Sequence, residues 1–136
     1  MDLSLSHCFV TVQDPDESLA FYRGVLGLEL RNDVAMDGFR WLTLTPRPQP
    51  GVEIVLVEPH AGRSKEDGDA LQALLVKGSL NAVIFSSPDI DATFERVRAS
   101  GAEVLQEPMD QPWGARDCAF RDPSGNMIRI SQEPRG

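Results

Sequence analysis

Residues 3–12 alternate, with Cys8, Val10 and Val12 on one face and Leu5, His7, Phe9 and Thr11 on the other. That two-residue period predicts a strand with two usable sides. Asp14-Pro15-Asp16-Glu17 then supplies a helix cap, a proline at the first helical position and a glutamate three residues after the cap. Leu19, Tyr22 and Val25 or Leu26 recur at helical spacing, and Gly27 is placed to end the helix in a left-handed cap. Strands are expected over residues 28–34, 39–45 and 52–58, separated by Met36-Asp37-Gly38 and by the proline-rich run from Pro46 to Gly51. The first sixty residues therefore read as βαβββ.

The second half repeats the order. Residues 59–69 are polar and glycine-bearing, which suits an exposed connection with room to move, and a short helix is expected over 70–77. A strand at 79–87 leads into a helix at 89–100, whose stripe is Ile90, Phe94 and Val97 and whose stop is Gly101. A short strand near 103–106 and a turn-rich passage through Pro108 and Pro112-Trp113-Gly114 follow. A hairpin at 118–131 closes the chain around Asp-Pro-Ser-Gly-Asn, where proline presets one turn angle and Gly and Asn tolerate positive φ. Asp14 and Asp89, Leu19 and Phe94, and Tyr22 and Val97 are each 75 residues apart; Gly51 and Gly125, Ile54 and Ile128, and Leu56 and Ile130 are each 74 apart. A pattern repeated at so constant an offset predicts an α+β fold of two βαβββ modules with cupped mixed sheets and helices on the outer face. The expected division is one domain over 1–136, with module one at 1–60, a connection at 61–77 and module two at 78–133.

Helix-facing positions should be uniformly apolar, which selects Cys8, Val10 and Val12, then Val52, Ile54 and Leu56, then Val83 and Phe85, and finally Ile128 and Ile130. The complementary set faces the cup: His7, Phe9 and Thr11; Glu53, Val55 and Val57; Ala82, Ile84 and Ser86; Met127, Arg129 and Ser131. A concave, mostly apolar surface with a few polar groups is the usual form of a small-molecule site.

Composition narrows the partners. The chain is 41% hydrophobic and 25% charged, as an ordinary globular domain is. Its net charge of −8 argues against nucleic acid and anionic membranes and is compatible with a cationic guest. Cys8 and Cys118 lie in predicted strands and outside any C-x-x-C, so reduced core thiols are expected. The start lacks a basic segment followed by an apolar one, and no apolar run is long enough to span a bilayer, so a cytoplasmic location is expected.

The segments LSHCFVTVQD, SLAFYRGVLGLEL, DIDATFERVRASGAEV and FRDPSGNMIRI together resemble the vicinal oxygen chelate superfamily of glyoxalases, extradiol dioxygenases, fosfomycin-modifying enzymes and bleomycin-resistance proteins. The resemblance covers nearly the whole chain. It implies paired modules, frequent homodimers and a divalent metal held by His, Glu or Gln on the first and fourth strands of each module. Carried onto this chain, those four positions fall on His7, Val55, Ala82 and Arg129. Only His7 matches. Valine and alanine have no donor atom, and a guanidinium that stays protonated repels a divalent cation. No cofactor is expected, and the donor set argues against a divalent metal. A register slip would add Glu53 or Asn81, still opposite Arg129.

The expected ligand-binding residues are His7, Phe9, Glu53, Val55, Ala82, Trp113, Met127 and Arg129, with His7 and Arg129 the catalytic candidates. His7 serves either as pocket acid, base or donor, or as a structural residue. Arg129 suits an anionic or carbonyl-bearing ligand, or an internal salt bridge with Glu53. Arg40 and Arg116, 76 residues apart, line the rim or are merely solvated, and Trp113 is free to stack on a ligand. The reading is a metal-free binder of a small organic molecule, homodimeric and akin to resistance proteins that sequester an antibiotic. The alternatives are a glyoxalase-like lyase or isomerase or a dioxygenase with a rearranged metal site, and a metal-free lyase or isomerase using His7 and Arg129. Whether the protein is catalytic stays open.

Overall fold

A computed structural model describes residues 1–134. The order is β1 (His7–Thr11), α1 (Pro15–Leu19) continued by a π-helical segment (Ala20–Val25), β2 (Glu29–Met36), β3 (Phe39–Thr45) and β4 (Glu53–Val57). Then come α2 (Lys65–Val76), β5 (Ala82–Ser87), α3 (Ile90–Ala99), β6 (Val104–Asp110), β7 (Arg116–Arg121) and β8 (Met127–Gln132). The strands form two four-stranded sheets, β1-β4-β3-β2 and β5-β8-β7-β6, each with one parallel pair and two antiparallel ones. This is the expected α+β pair of modules.

The caps are where the local chemistry puts them. The Asp14 carboxylate accepts from the Asp16 and Glu17 amides, and that of Asp89 from Ala92. The first helix widens after Leu19, where the Leu26 amide reaches back five residues to the Phe21 carbonyl at 2.9 Å. Leu19, Phe21 and Tyr22 are buried there, as are Ile90, Phe94 and Val97 on α3. Together with Leu42, Leu44, Ile54, Leu56, Cys118, Phe120, Ile128 and Ile130 they form one apolar cluster drawn from both modules.

The Asp-Pro-Ser-Gly-Asn turn does more than reverse the chain. One Asp122 oxygen accepts from the amides of Ser124, Gly125 and Asn126, and the other from Tyr22 Oη at 2.7 Å and Asn126 Nδ2 at 2.9 Å. Asn126 Nδ2 also donates to the Thr11 carbonyl, so the last hairpin is fastened to β1 and the first helix. Burial and the Asp122 carboxylate hold the Tyr22 hydroxyl far above its ordinary pKa. Gly125 is required: its φ is +116°, and a Cβ there would lie 2.3 Å from the Leu75 carbonyl oxygen.

Three expectations change. Residues 65–69 are helix rather than open connection, because Ser64 caps α2 and Glu66 and Asp67 fill its first turn. The preceding loop is held by His60 Nε2, 2.8 Å from Asp69 Oδ1, and the His60 ring fits only against Gly68, where a Cβ would lie 2.2 Å away. Strand β6 runs on through Pro108 to Asp110, since it is an edge strand whose register shifts absorb the missing amide. Cys8 is exposed while Cys118 is buried: β1 is an edge strand paired on one side only, whereas β7 lies inside its sheet and Cys118 joins the shared core.

Candidate functional site

Strand pairing fixes which residues share the cup faces. In the first sheet His7 lies opposite Glu53 and Phe9 opposite Val55; in the second Ala82 lies opposite Met127 and Ile84 opposite Arg129. Val55 and Arg129 are therefore structural equivalents, as are Glu53 and Met127. The outward partners Ile128 and Ile130 are buried under the helix, leaving Arg129 on the other side, half-buried.

Each face carries a carboxylate paired with a nitrogen-bearing side chain. On the first sheet His7 Nε2 is 2.6 Å from Glu53 Oε2 and His7 Nδ1 is 3.0 Å from Ser6 Oγ, with the imidazole side chain 51% exposed. The second sheet buries its pair more deeply. Arg129 Nη1 donates to Asp117 Oδ2 at 3.1 Å and to Gln106 Oε1 at 3.2 Å. The other Asp117 oxygen accepts from Gln106 Nε2 at 2.8 Å and Gln111 Nε2 at 2.9 Å. Burial pushes the Asp117 carboxyl up, but the hydrogen bonds from Gln111, Gln106 and Arg129 outweigh it and hold its pKa below the ordinary value. Burial, with the Asp117 charge beside it, pushes the neighbouring Cys118 thiol up to about 11.

Arg129 therefore pairs with Asp117, not Glu53, which is taken by His7. Apart from these, Val55 is buried in the first sheet, Ala82 and Phe9 are exposed on the edge strands β5 and β1, and Met127 is half-buried with its sulfur 4.0 Å from Arg129 Nη2. Trp113 is 73% exposed in the β6–β7 turn that also carries Gln111. Among the described residues no hydrogen bond or ion pair joins the His7 group to the Arg129 group. Of the residues on the cup faces, Phe9, Ala82 and Ile84 are exposed in the single chain, while Thr11, Val55 and Val57 are buried. Two cavities, of about 620 Å³ and about 300 Å³, lie elsewhere, the first between the first helix and the Asp122 turn and the second beside Leu26, Pro46 and Phe85.

Sequence reasoning missed Asp117, Gln106 and Gln111. The signal was available, since pairing Cys118 with Ile130 in the closing hairpin puts Asp117 and Arg129 on one face. It also left the rim arginines unpartnered. Arg40 binds Asp16 and Asp33, and Arg116 binds Asp91 and Asp110. Both are repeat-related triads that tie a helix start to a sheet edge.

Residues 4–130 match the model of the glyoxalase/bleomycin resistance protein/dioxygenase superfamily. The chain belongs to that superfamily. Within it, the chain is similar to UcmS2, with 35% identity, 96% of this chain and 98% of the other covered and a TM-score of 0.86. It is similar to TnmS3, described as an antibiotic binding protein from Streptomyces sp. CB03234, at 27% identity, 98% and 99% coverage and a TM-score of 0.77. A probable lactoylglutathione lyase of Synechocystis sp. is 27% identical over 138 residues, 94% of each chain.

The superfamily's metal does not fit this donor set. Val55 and Ala82 offer no lone pair, and the guanidinium at the fourth position brings positive charge to the place where a cation would sit. His7 and Glu53 supply two donors, and among the described residues no group of three or more His, Cys, Asp or Glu side chains converges. About three protein ligands are the usual minimum for a catalytic metal.

Proposed function

We propose that this protein is a metal-free, small-molecule-binding member of the superfamily, holding an organic ligand on its cup faces. One observation carries the reading: three of the four donor positions hold Val55, Ala82 and Arg129, so an apolar surface with one anchored cation stands in place of a metal centre. Phe9 and Ile84 support it, since both project from edge strands at 61% and 65% exposure, more apolar surface than a lone chain needs to display. A second copy would cover these strands, and the working form is a homodimer in the cytoplasm. The likeness to TnmS3, described as an antibiotic binding protein, favours sequestration.

A second reading has its own observation. The 2.6 Å contact between His7 and Glu53 orients an imidazole as a carboxylate does in general-base catalysis, which suits a metal-free lyase or isomerase. A thermal-shift screen of natural-product-like compounds separates the two. The binding reading expects a ligand that stabilises the protein and is recovered unchanged, with affinity weakened at least tenfold in Arg129→Leu. Turnover of that ligand, abolished in His7→Ala, would replace it with the enzymatic reading.

A further inference from the structure

Arg129 has five N–H donors, and only Nη1 is engaged by oxygen, at 3.1 Å to Asp117 Oδ2 and 3.2 Å to Gln106 Oε1. Nη2 has only the Met127 sulfur, 4.0 Å away, and Nε has no acceptor among the described residues. The network behind is closed. Asp117 is 3% exposed, Gln106 and Gln111 fill its second oxygen, and Gln106 Nε2 also donates to the Asp117 carbonyl at 3.1 Å. The guanidinium is therefore fixed in orientation, and a buried carboxylate already meets its charge.

An incoming carboxylate would find little unbalanced positive charge, because Asp117 already neutralises the guanidinium, and would add a second negative charge to the same site. A neutral carbonyl oxygen loses far less water and still receives two aligned donors from the unengaged Nε and Nη2 edge. We infer that Arg129 offers this edge to an uncharged carbonyl oxygen, and that Asp117 makes the cup select neutral carbonyl compounds over carboxylates. The inference rests on the ligand-binding reading; of the anionic and carbonyl-bearing ligands that the sequence suggests for Arg129 it selects the second, and it sets aside the cationic guest suggested by the net charge.

The test compares 2-naphthamide with 2-naphthoate, matched in shape, titrated into the full-length protein at pH 7.5. It is followed by the side-chain Nε–H signal of Arg129 in 1H–15N spectra. The expected result is a shift of that signal by the amide, with at least tenfold tighter binding than the carboxylate. In Asp117→Asn the preference should narrow by tenfold or reverse. Whatever the stability of that variant, the wild-type ratio is decisive alone: equal or tighter binding of naphthoate overturns the inference but leaves the cup as a binding site. Failure of both probes to move the Arg129 signal also overturns it, whereas the ligand screen judges the binding reading separately.

Discussion

The two cup faces come from the same βαβββ plan and treat charge in opposite ways. On the first sheet His7 and Glu53 meet near the open end of edge strand β1, where water reaches both side chains. On the second, Arg129 and Asp117 lie on the inner strands β8 and β7, with two glutamines completing the carboxylate's hydrogen bonds. An exposed pair is cheap to alter and contributes little, whereas a desolvated pair is costly to break because the partner left behind is stranded. The first face thus has freedom to change its chemistry, and the second is a fixed platform.

The sharpest way to break that contrast is to remove one member of each pair. Asp117→Ala leaves Arg129 half-buried without its counter-charge and should cost about 3 kcal/mol in urea unfolding. Tyr22→Phe removes the hydroxyl that ties the first helix to Asp122 and should cost about 2 kcal/mol, while leaving the cup residues in place. Glu53→Gln, on the open face, should change stability by less than about 1 kcal/mol. A loss from Glu53→Gln equal to that from Asp117→Ala would erase the distinction.

Acid adds a graded test. The folded-state pKa of Asp117 is depressed, so its contribution is fully present above the unfolded carboxylate value near 4 and is lost as pH falls through the lower folded value. The stability difference between wild type and Asp117→Asn, followed by urea titration, should therefore shrink below about pH 4. The smallest effect concerns the thiols. Exposed Cys8 should react with a disulfide reagent in the native protein, and Cys118, buried and with its thiol pushed up to about 11, only on unfolding.

Much of the fold was legible because its signals are local. The caps at Asp14 and Asp89, the helical stripe of Ile90, Phe94 and Val97, and the turn at Asp122 each sit within a few residues of what they determine. The start of α2 was hidden by its polarity: Lys65-Glu66-Asp67-Gly68-Asp69 reads as loop unless Ser64 is seen as a cap and the acids as its first turn. Strand β6 was cut short at Pro108, which an interior strand would exclude but an edge strand admits. In the site, alternation alone placed Arg129 and His7 on the cup faces. Their partners needed register across strands, and only the hairpin pairing of Cys118 with Ile130 distinguishes Asp117 from Glu53 as the carboxylate beside Arg129.

The central claim is that the cup works without the superfamily's metal. Its most direct test is metal content of the purified, untagged protein by inductively coupled plasma mass spectrometry, followed by titration with zinc, nickel, manganese and, anaerobically, ferrous iron. The account predicts metal far below one equivalent per chain and no saturable binding. Near-stoichiometric metal that is lost in His7→Ala would contradict it.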